Sequence, residues 1–153
     1  MQAKLIVVPV DFSESSEAAL GWATVLARDT GAKLLLVHVE TVPLTTGGGE
    51  YIYAIPEPPT QELQERLRQI AVKDPSVAVE RRLLAGDPAD AIIRIAQETG
   101  ADMIVMGTHG RRGITRLLMG SVAESVVRRA ACPVLTVKQP ATEGPTPVAD
   151  ATG

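Results

Sequence analysis

Five short apolar runs, separated by segments of helical length, constrain the fold of this chain more than any other feature of its sequence. Each run has the length of a strand, and together they span residues 5–10, 33–39, 77–84, 103–106 and 133–137. The first, second and fourth are almost continuously apolar, which is typical of parallel strands covered by helices on both faces. The third alternates more, which predicts an edge strand.

Segments with apolar residues at helical spacing separate the runs, and they predict four helices. The first covers residues 13 to about 28, with Trp22 among its apolar positions, and the second begins near Thr60. The third opens at Asp87 and Pro88, an acidic N-cap followed by proline at the first helical position. Each helix is long enough to cross between parallel strands.

A capping box predicts the start of the fourth helix. It runs from Ser121 to Glu124, and the two side chains are expected to satisfy backbone donors at the helix start. Val122, Val126 and Val127 are expected to face inward.

This order of elements predicts an α/β domain: a doubly wound five-stranded parallel sheet, Rossmann-like, with the expected strand order 3-2-1-4-5. The domain is predicted to span residues 1–138. Residues 139–153, rich in proline and small or polar residues, are expected to form a disordered C-terminal tail.

The connection 40–59 contains three consecutive glycines and four prolines, and we expect a mobile lid or an interface segment there.

Composition excludes several classes of function. The chain has 153 residues, a net charge of −3 and 3% aromatic residues, which argues against a nucleic-acid partner. No apolar run approaches the length of about 18–20 residues that spans a bilayer, so no membrane insertion is expected. The single cysteine, Cys132, cannot form an internal disulfide, and the N-terminus leads directly into the first strand. We therefore expect a cytoplasmic protein.

The loop after the fourth run carries the strongest chemical signal. Between residues 107 and 121 it contains four glycines, His109 and three arginines, including Arg111 and Arg112. Glycine lets backbone N–H groups approach an anion, and the start of the following helix favours negative charge. This loop predicts a phosphate site, although an ordinary flexible loop before a capped helix remains the alternative.

Asp11, just after the first run, is the second candidate. A carboxylate at a strand end can accept hydrogen bonds from ribose hydroxyls, as in other doubly wound nucleotide sites. It could equally serve only as a turn residue at the entry to the first helix. His38 lies inside an apolar run and is expected to be a core residue.

The spacing Gly107-x2-Gly110-x9-Gly120-Ser121 resembles the nucleotide-binding signature of the universal stress protein family, in its ATP-binding branch. The resemblance covers residues 3–138. It implies that ATP lies across the loops after the first and fourth strands, with Mg²⁺ or Mn²⁺ bound through its phosphates. It also implies a homodimer, which the unpaired edge of the fifth strand favours independently.

The predicted nucleotide site has twelve residues. By resemblance, the residues after the first strand lie under the adenosine, the one that ends the second strand lines the adenine pocket, and the fourth-strand loop holds the phosphates. The twelve residues are Pro9, Asp11, Val39, Met106, Gly107, His109, Gly110, Arg111, Arg112, Gly120, Ser121 and Val122.

Motifs of other nucleotide enzymes are absent from the sequence. It has neither a P-loop nor a Gly-x-Gly-x-x-Gly motif after the first strand, and no spacing typical of a catalytic triad. Together with these absences, the resemblance implies an ATP-binding regulatory or stress-response switch with slow or no hydrolysis, no catalytic residues and no metal ligands from the protein. Two alternatives remain: an ATPase or phosphotransferase that uses the same pocket, and a nucleotide-free dimeric scaffold.

Overall fold

Strands and helices alternate along the residues that the computed structural model describes, 2–41, 60–109 and 119–138. In chain order the elements are β1 (Leu5–Pro9), α1 (Glu14–Thr30), β2 (Lys33–Glu40), α2 (Thr60–Gln69), β3 (Val79–Ala85), α3 (Pro88–Thr99), β4 (Met103–Gly107), α4 (Ser121–Arg129) and β5 (Val134–Val137). The predicted tail 139–153 and nearly all of the 40–59 connection lie outside the described residues.

The five strands form one sheet in the order β3-β2-β1-β4-β5, and every neighbouring pair is parallel. This confirms the predicted doubly wound α/β fold and the predicted strand order. β3 lies at one edge, as its alternating sequence indicates, and β5 lies at the other. β1 is central and pairs with β2 on one side and β4 on the other.

The core consists of two apolar layers, one on each face of the sheet. Because successive strand residues point to opposite faces, Ile6 and Val8 pack under α1 and α2, whereas Val7 packs under α3 and α4. Leu36 and Val37 of β2 divide between the layers in the same way. Burial on both faces explains why the central strands are almost continuously apolar.

Local signals in the sequence set the ends of two helices. Ser13 is the N-cap of α1, and its hydroxyl accepts a hydrogen bond of 3.2 Å from the backbone N–H of Ser16. Asp87 is the N-cap of α3 and accepts from the backbone N–H of Asp90 at 3.0 Å, directly before Pro88. The predicted start of α3 is therefore confirmed.

Three predictions about side chains in the helices were wrong. The N-cap of α4 is Gly120, with no side-chain capping bond, so Ser121 is the first helical residue and does not form the predicted capping box. Trp22 is 59% exposed and Val127 is 44% exposed. Each helix buries only one stripe, and smaller or better-placed neighbours such as Ala23 and Val126 occupy it.

Candidate functional site

A cavity of about 410 Å³ opens at the carboxyl ends of the strands, above β1, β2 and β4. The chain order along the sheet reverses at β1, and doubly wound sheets bind their ligands at such a point. The volume falls within the usual range for small-molecule sites, about 300–1,000 Å³. Position and size together indicate a ligand-binding cavity.

One wall of the cavity is apolar. Val37 and Val39 contribute to it from β2, Pro88 and Ile92 from the first turns of α3, and Met106 from β4. The three strand residues belong to the apolar layer between the sheet and helices α3 and α4. A flat apolar group such as a nucleobase can bury its surface against a wall of this kind.

The loop between β1 and α1 forms a polar rim around Asp11. Its carboxylate Oδ1 accepts hydrogen bonds from the backbone N–H of Ser13, at 3.0 Å, and from the Ser13 hydroxyl. The backbone N–H of Asp11 donates to Ser16 Oγ at 3.4 Å. The carboxylate therefore both shapes the entry to α1 and lines the cavity, so the two roles considered for Asp11 are compatible.

Phe12 occupies the left-handed region in this same loop, with φ at +66°, a conformation that costs free energy for a bulky residue. Its ring centroid lies 4.6 Å from that of His38, and the Arg66 guanidinium of α2 sits 4.2 Å from the centroid of the Phe12 ring. These ring and cation–π contacts hold the strained turn in place.

His38 is 4% exposed, as expected of a core residue, and its Nδ1 lies 2.7 Å from the carbonyl oxygen of Val10. It also lines the cavity, which the sequence did not indicate.

The end of β4 packs tightly on the first turn of α1. A Cβ at Gly107 would meet the Ser15 hydroxyl and would lie 2.8 Å from the carbonyl carbon and oxygen of Ser15. Only glycine fits there, because backbone atoms cannot move aside as the end of a flexible side chain can. Gly107 therefore has a packing role in addition to its place in the cavity wall.

Thr108 connects this strand end to its neighbours. Its backbone N–H donates to the Val137 carbonyl of β5 at 3.1 Å, and its carbonyl accepts from the backbone N–H of Gly120 at 2.6 Å. The second bond fixes the start of α4 at the edge of the cavity. The first-turn amides of α4 have no acceptor within the helix, so an anion at this end of the cavity can accept hydrogen bonds from them.

Nine of the twelve predicted site residues line this one cavity: Pro9, Asp11, Val39, Met106, Gly107, His109, Gly120, Ser121 and Val122. Gly110, Arg111 and Arg112 lie outside the described residues. Contact of the nine with a nucleotide remains a prediction.

Sequence reasoning missed other lining residues. Thr41 and Thr108 directly follow β2 and β4, and a search of every strand end would have found them. Pro88 and Ile92 belong to a helix that carries no chemical signal of a site.

The described residues contain no group of three His, Cys, Asp or Glu side chains that could hold a metal ion. Asp11 is the one carboxylate among the described residues that line the cavity, and a single carboxylate does not make a metal site on its own. An ion at this site would therefore be held mainly by the phosphates of a bound nucleotide and by water. Among the described helices, none is both long enough and apolar enough to cross a membrane.

Comparisons with known proteins show the family of this chain. The model of the universal stress protein family matches residues 3–138. A universal stress protein of Methanocaldococcus jannaschii is 37% identical over 145 residues, which cover 92% of this chain and 85% of that protein. Another, from Thermus aquaticus, is 37% identical over 137 residues, covering 88% of this chain and 98% of that protein.

Two similar solved structures contain adenine nucleotides. A universal stress protein in complex with cAMP has a TM-score of 0.68 and 28% identity, covering 92% of this chain and 100% of that one. The universal stress protein of Archaeoglobus fulgidus in complex with dAMP has a TM-score of 0.63 and 29% identity. The match covers 90% of this chain and 100% of that one. On its sequence match and its fold, this chain belongs to the universal stress protein family.

Proposed function

We propose that this protein binds ATP in the cavity and acts as a nucleotide-dependent switch in a stress response, with slow or no hydrolysis. The observation that carries the proposal is the composition of the cavity, which joins an apolar wall to the start of α4 across the central strands. The cAMP and dAMP complexes of two similar proteins support an adenine nucleotide.

In the proposed complex the adenine packs on Val39, beside Pro88 and Ile92, and the ribose hydroxyls donate to the Asp11 carboxylate. The phosphates extend towards Gly120 and the first turn of α4, where backbone N–H groups and the helix dipole stabilise negative charge. Mg²⁺ or Mn²⁺ accompanies the nucleotide and reduces the repulsion between its phosphates.

Hydrolysis is proposed to be slow because the described site offers few catalytic groups. Phosphoryl transfer requires a positioned nucleophile, a metal clamp and stabilisation of the transferring group. His109 is the one described residue of the predicted set that we expect could orient a water molecule, and Asp11 is engaged with Ser13. We expect fewer than about one turnover per minute, far below the enzyme median of about 10 per second.

Titration calorimetry with ATP and Mg²⁺ tests the proposal, with Gly120→Val as the informative variant. Gly120 has φ −60° and ψ 156°, a conformation open to any residue, so the valine should not strain the backbone. Its side chain should instead obstruct the phosphate end of the cavity and lower the ATP affinity by at least about tenfold.

Gly21→Ala is the matched control, because a Cβ at Gly21 on α1 meets nothing within 4 Å. ATP binding that Gly120→Val leaves unchanged would contradict the placement of the phosphates. A wild-type chain that binds no nucleotide would favour the dimeric scaffold. Phosphate release above one per second that His109→Ala abolishes would favour the ATPase.

We also propose a homodimer that forms through β5. This strand is at the edge of the sheet, and Leu135 on it is 37% exposed, with Val127 of α4 exposed as well. An unpaired apolar edge can pair with its own copy about a twofold axis, which closes the assembly.

We further propose that the protein works in the cytoplasm, because a lone cysteine fits a reducing compartment. Fractionation of cells that express the protein tests this location.

A further inference from the structure

The four helices of the described chain each follow a strand and begin at the carboxyl edge of the sheet, where the cavity opens. The first turn of a helix carries N–H groups without an acceptor inside the helix, and the helix dipole adds partial positive charge there. Each of the four starts could therefore attract an anion. What the chain itself places at each start decides where an anionic ligand lies.

The starts of α1, α2 and α3 each have a carboxylate of the chain beside them. Asp11 Oδ1 accepts hydrogen bonds from the backbone N–H and the hydroxyl of Ser13, the N-cap of α1. Glu40 accepts a hydrogen bond of 3.1 Å from the hydroxyl of Thr60, the first residue of α2. Asp87 is itself the N-cap of α3. Three helix starts at this edge thus carry a negative charge held in place by hydrogen bonds.

The start of α4 differs from the other three. Its N-cap is Gly120, and within the described part of the chain no side chain makes a capping hydrogen bond there. The first three helical residues, 121–123, line the cavity. The acidic residue that follows them, Glu124, bonds to the Arg128 guanidinium one turn further along the helix, at 2.7 Å. The first turn of α4 therefore faces the cavity without a carboxylate of its own beside its N-cap.

We infer that Asp11, Glu40 and Asp87 are specificity residues that set the orientation of an anionic ligand in the cavity. Their charges keep phosphate groups away from the starts of α1, α2 and α3 and leave the start of α4 as the anion position. That the ligand is a nucleotide rests on the proposed function. The physical reason is that like charges brought together cost free energy, which disfavours the wrong arrangement without any added contact in the right one.

The same charge has a second effect at Asp11. A carboxylate accepts hydrogen bonds from hydroxyl groups, so the group that repels a phosphate can still hold a ribose. The two ends of the cavity thus favour opposite ends of a nucleotide, hydroxyl donors at Asp11 and anions at α4.

The charge at α3 can be removed without removing the cap. Asparagine caps helices as well as aspartate does, so Asp87→Asn keeps an acceptor for the backbone N–H of Asp90 and loses only the negative charge. The proposed complex gives Asp87 no contact with the nucleoside, so this variant tests the charge alone. Glu98→Gln is the matched control, because it removes the same charge from the same helix roughly 16 Å further along the axis.

Inorganic tripolyphosphate is the probe, because it resembles the phosphate chain of ATP and has neither base nor ribose. It is titrated without metal into the nucleotide-free, ¹⁵N-labelled protein at about pH 7.5, where carboxyl groups are ionised, and at low ionic strength, where charges are least screened. In the wild type we expect amide shifts in the first turn of α4 and none in the first turns of α1, α2 and α3.

Asp87→Asn should bind tripolyphosphate about two- to fivefold more tightly, the value of one charge at a helix start, and the first-turn amides of α3 should now shift as well. Glu98→Gln should leave the affinity unchanged. If Asp87 served only as a helix cap, Asp87→Asn would leave the affinity unchanged too, and that result overturns the inference. Equal gains in the two variants, wild-type shifts at α1 or α3 as large as those at α4, or no binding of tripolyphosphate to either protein also overturn it.

Asp11→Asn separates the two effects of the Asp11 charge, because they have opposite signs. This variant should bind tripolyphosphate about two- to fivefold more tightly and adenosine, which has no phosphate, more weakly. Weaker binding of tripolyphosphate would overturn the repulsive role of Asp11.

The inference and the proposed function fail on different results. A wild-type chain that takes tripolyphosphate at the start of α4 but binds no ATP keeps the inference and refutes the proposed function. A chain that binds ATP but takes tripolyphosphate at the start of α1, α2 or α3 refutes the inference alone.

Discussion

At the scale of single residues, short-range contacts hold the turn after β1 and the last residue of β4 in place. Asp11 accepts two hydrogen bonds from Ser13, and Gly107 lies directly against Ser15. Both serines stand at the start of α1. The rim of the cavity is therefore built on the same helical turn that supports the end of β4.

Replacing Gly107 by alanine should destabilise the protein. The added Cβ would lie 2.8 Å from backbone atoms of Ser15, so either β4 or α1 must move, at a cost of about 1–3 kcal/mol in unfolding free energy. Gly21→Ala on α1 meets open space and should stabilise the protein by about 0.5–1 kcal/mol. Urea denaturation of the two variants measures both effects, and an equal change in the two would contradict the close packing at Gly107.

Asp102 makes stability depend on pH. Its Oδ2 accepts hydrogen bonds from the backbone N–H groups of Lys4, at 2.8 Å, and Leu5, at 3.0 Å, which hold the pKa of this carboxyl below its usual range. A lowered folded-state pKa stabilises the fold above the unfolded value of about 3.9, and this contribution disappears as the pH falls through the folded value.

Asp102→Asn should therefore unfold at a lower urea concentration than the wild type at pH 7. The difference in stability between the two proteins should narrow from pH 7 to pH 3, because below about pH 3.9 the unfolded wild-type carboxyl takes up a proton and the advantage of the ionised folded carboxyl shrinks. A difference that stays constant between these two pH values would show that the charge of Asp102 does not contribute.

At the scale of elements, two serines near helix starts have different roles. Ser13 is the N-cap of α1 and bonds to a backbone N–H, whereas Ser121 is already inside α4 and the capping position belongs to Gly120. The pattern at Ser121 does not reveal this difference, because Ser-x-x-Glu matches both a capping box that starts at the serine and a helix whose N-cap is the residue before it.

Ser13→Ala should cost about 1 kcal/mol of unfolding free energy, as expected for the loss of an N-cap. Ser121→Ala should change the stability by less than about 0.5 kcal/mol. Thermal or chemical denaturation of the two variants measures both changes. If Ser121→Ala lowers the unfolding free energy as much as Ser13→Ala does, the predicted capping box at Ser121 is correct after all.

The fold and the position of the site could be predicted because strong and local physical signals carry them. Apolar runs of strand length mark a buried parallel sheet, and strand ends mark its ligand edge. The exposure of Trp22 and Val127 could not be predicted, because helical spacing fixes a stripe but not which large residue lies at its border. The contribution of Ile92 depends on how α3 packs on the sheet, which no local motif records.

At the scale of the whole molecule, the edge strand β5 carries one exposed large apolar residue, Leu135. Leu135→Lys should shift the protein from dimer to monomer in sedimentation velocity, because it adds a charge at the proposed seam. Val137 is unsuitable for this test, since it is buried in the core beneath α1. Arg82→Ala on β3, at the opposite edge, is the control, and a Leu135→Lys variant that stays folded and dimeric would locate the interface elsewhere.

The central position of β1 also has a consequence for synthesis on the ribosome. Its partner contacts at β4 lie far along the chain: Leu5 is bonded to Asp102, directly before β4, which is 97 positions later in the sequence. At roughly 5–20 residues per second, translation takes about 5–20 seconds to cover that distance. During this time β1 can pair with β2. Its other edge, at Ile6 and Val7, stays unpaired until β4 has been synthesised. A chaperone that shields this edge of the nascent chain would act only until β4 has emerged.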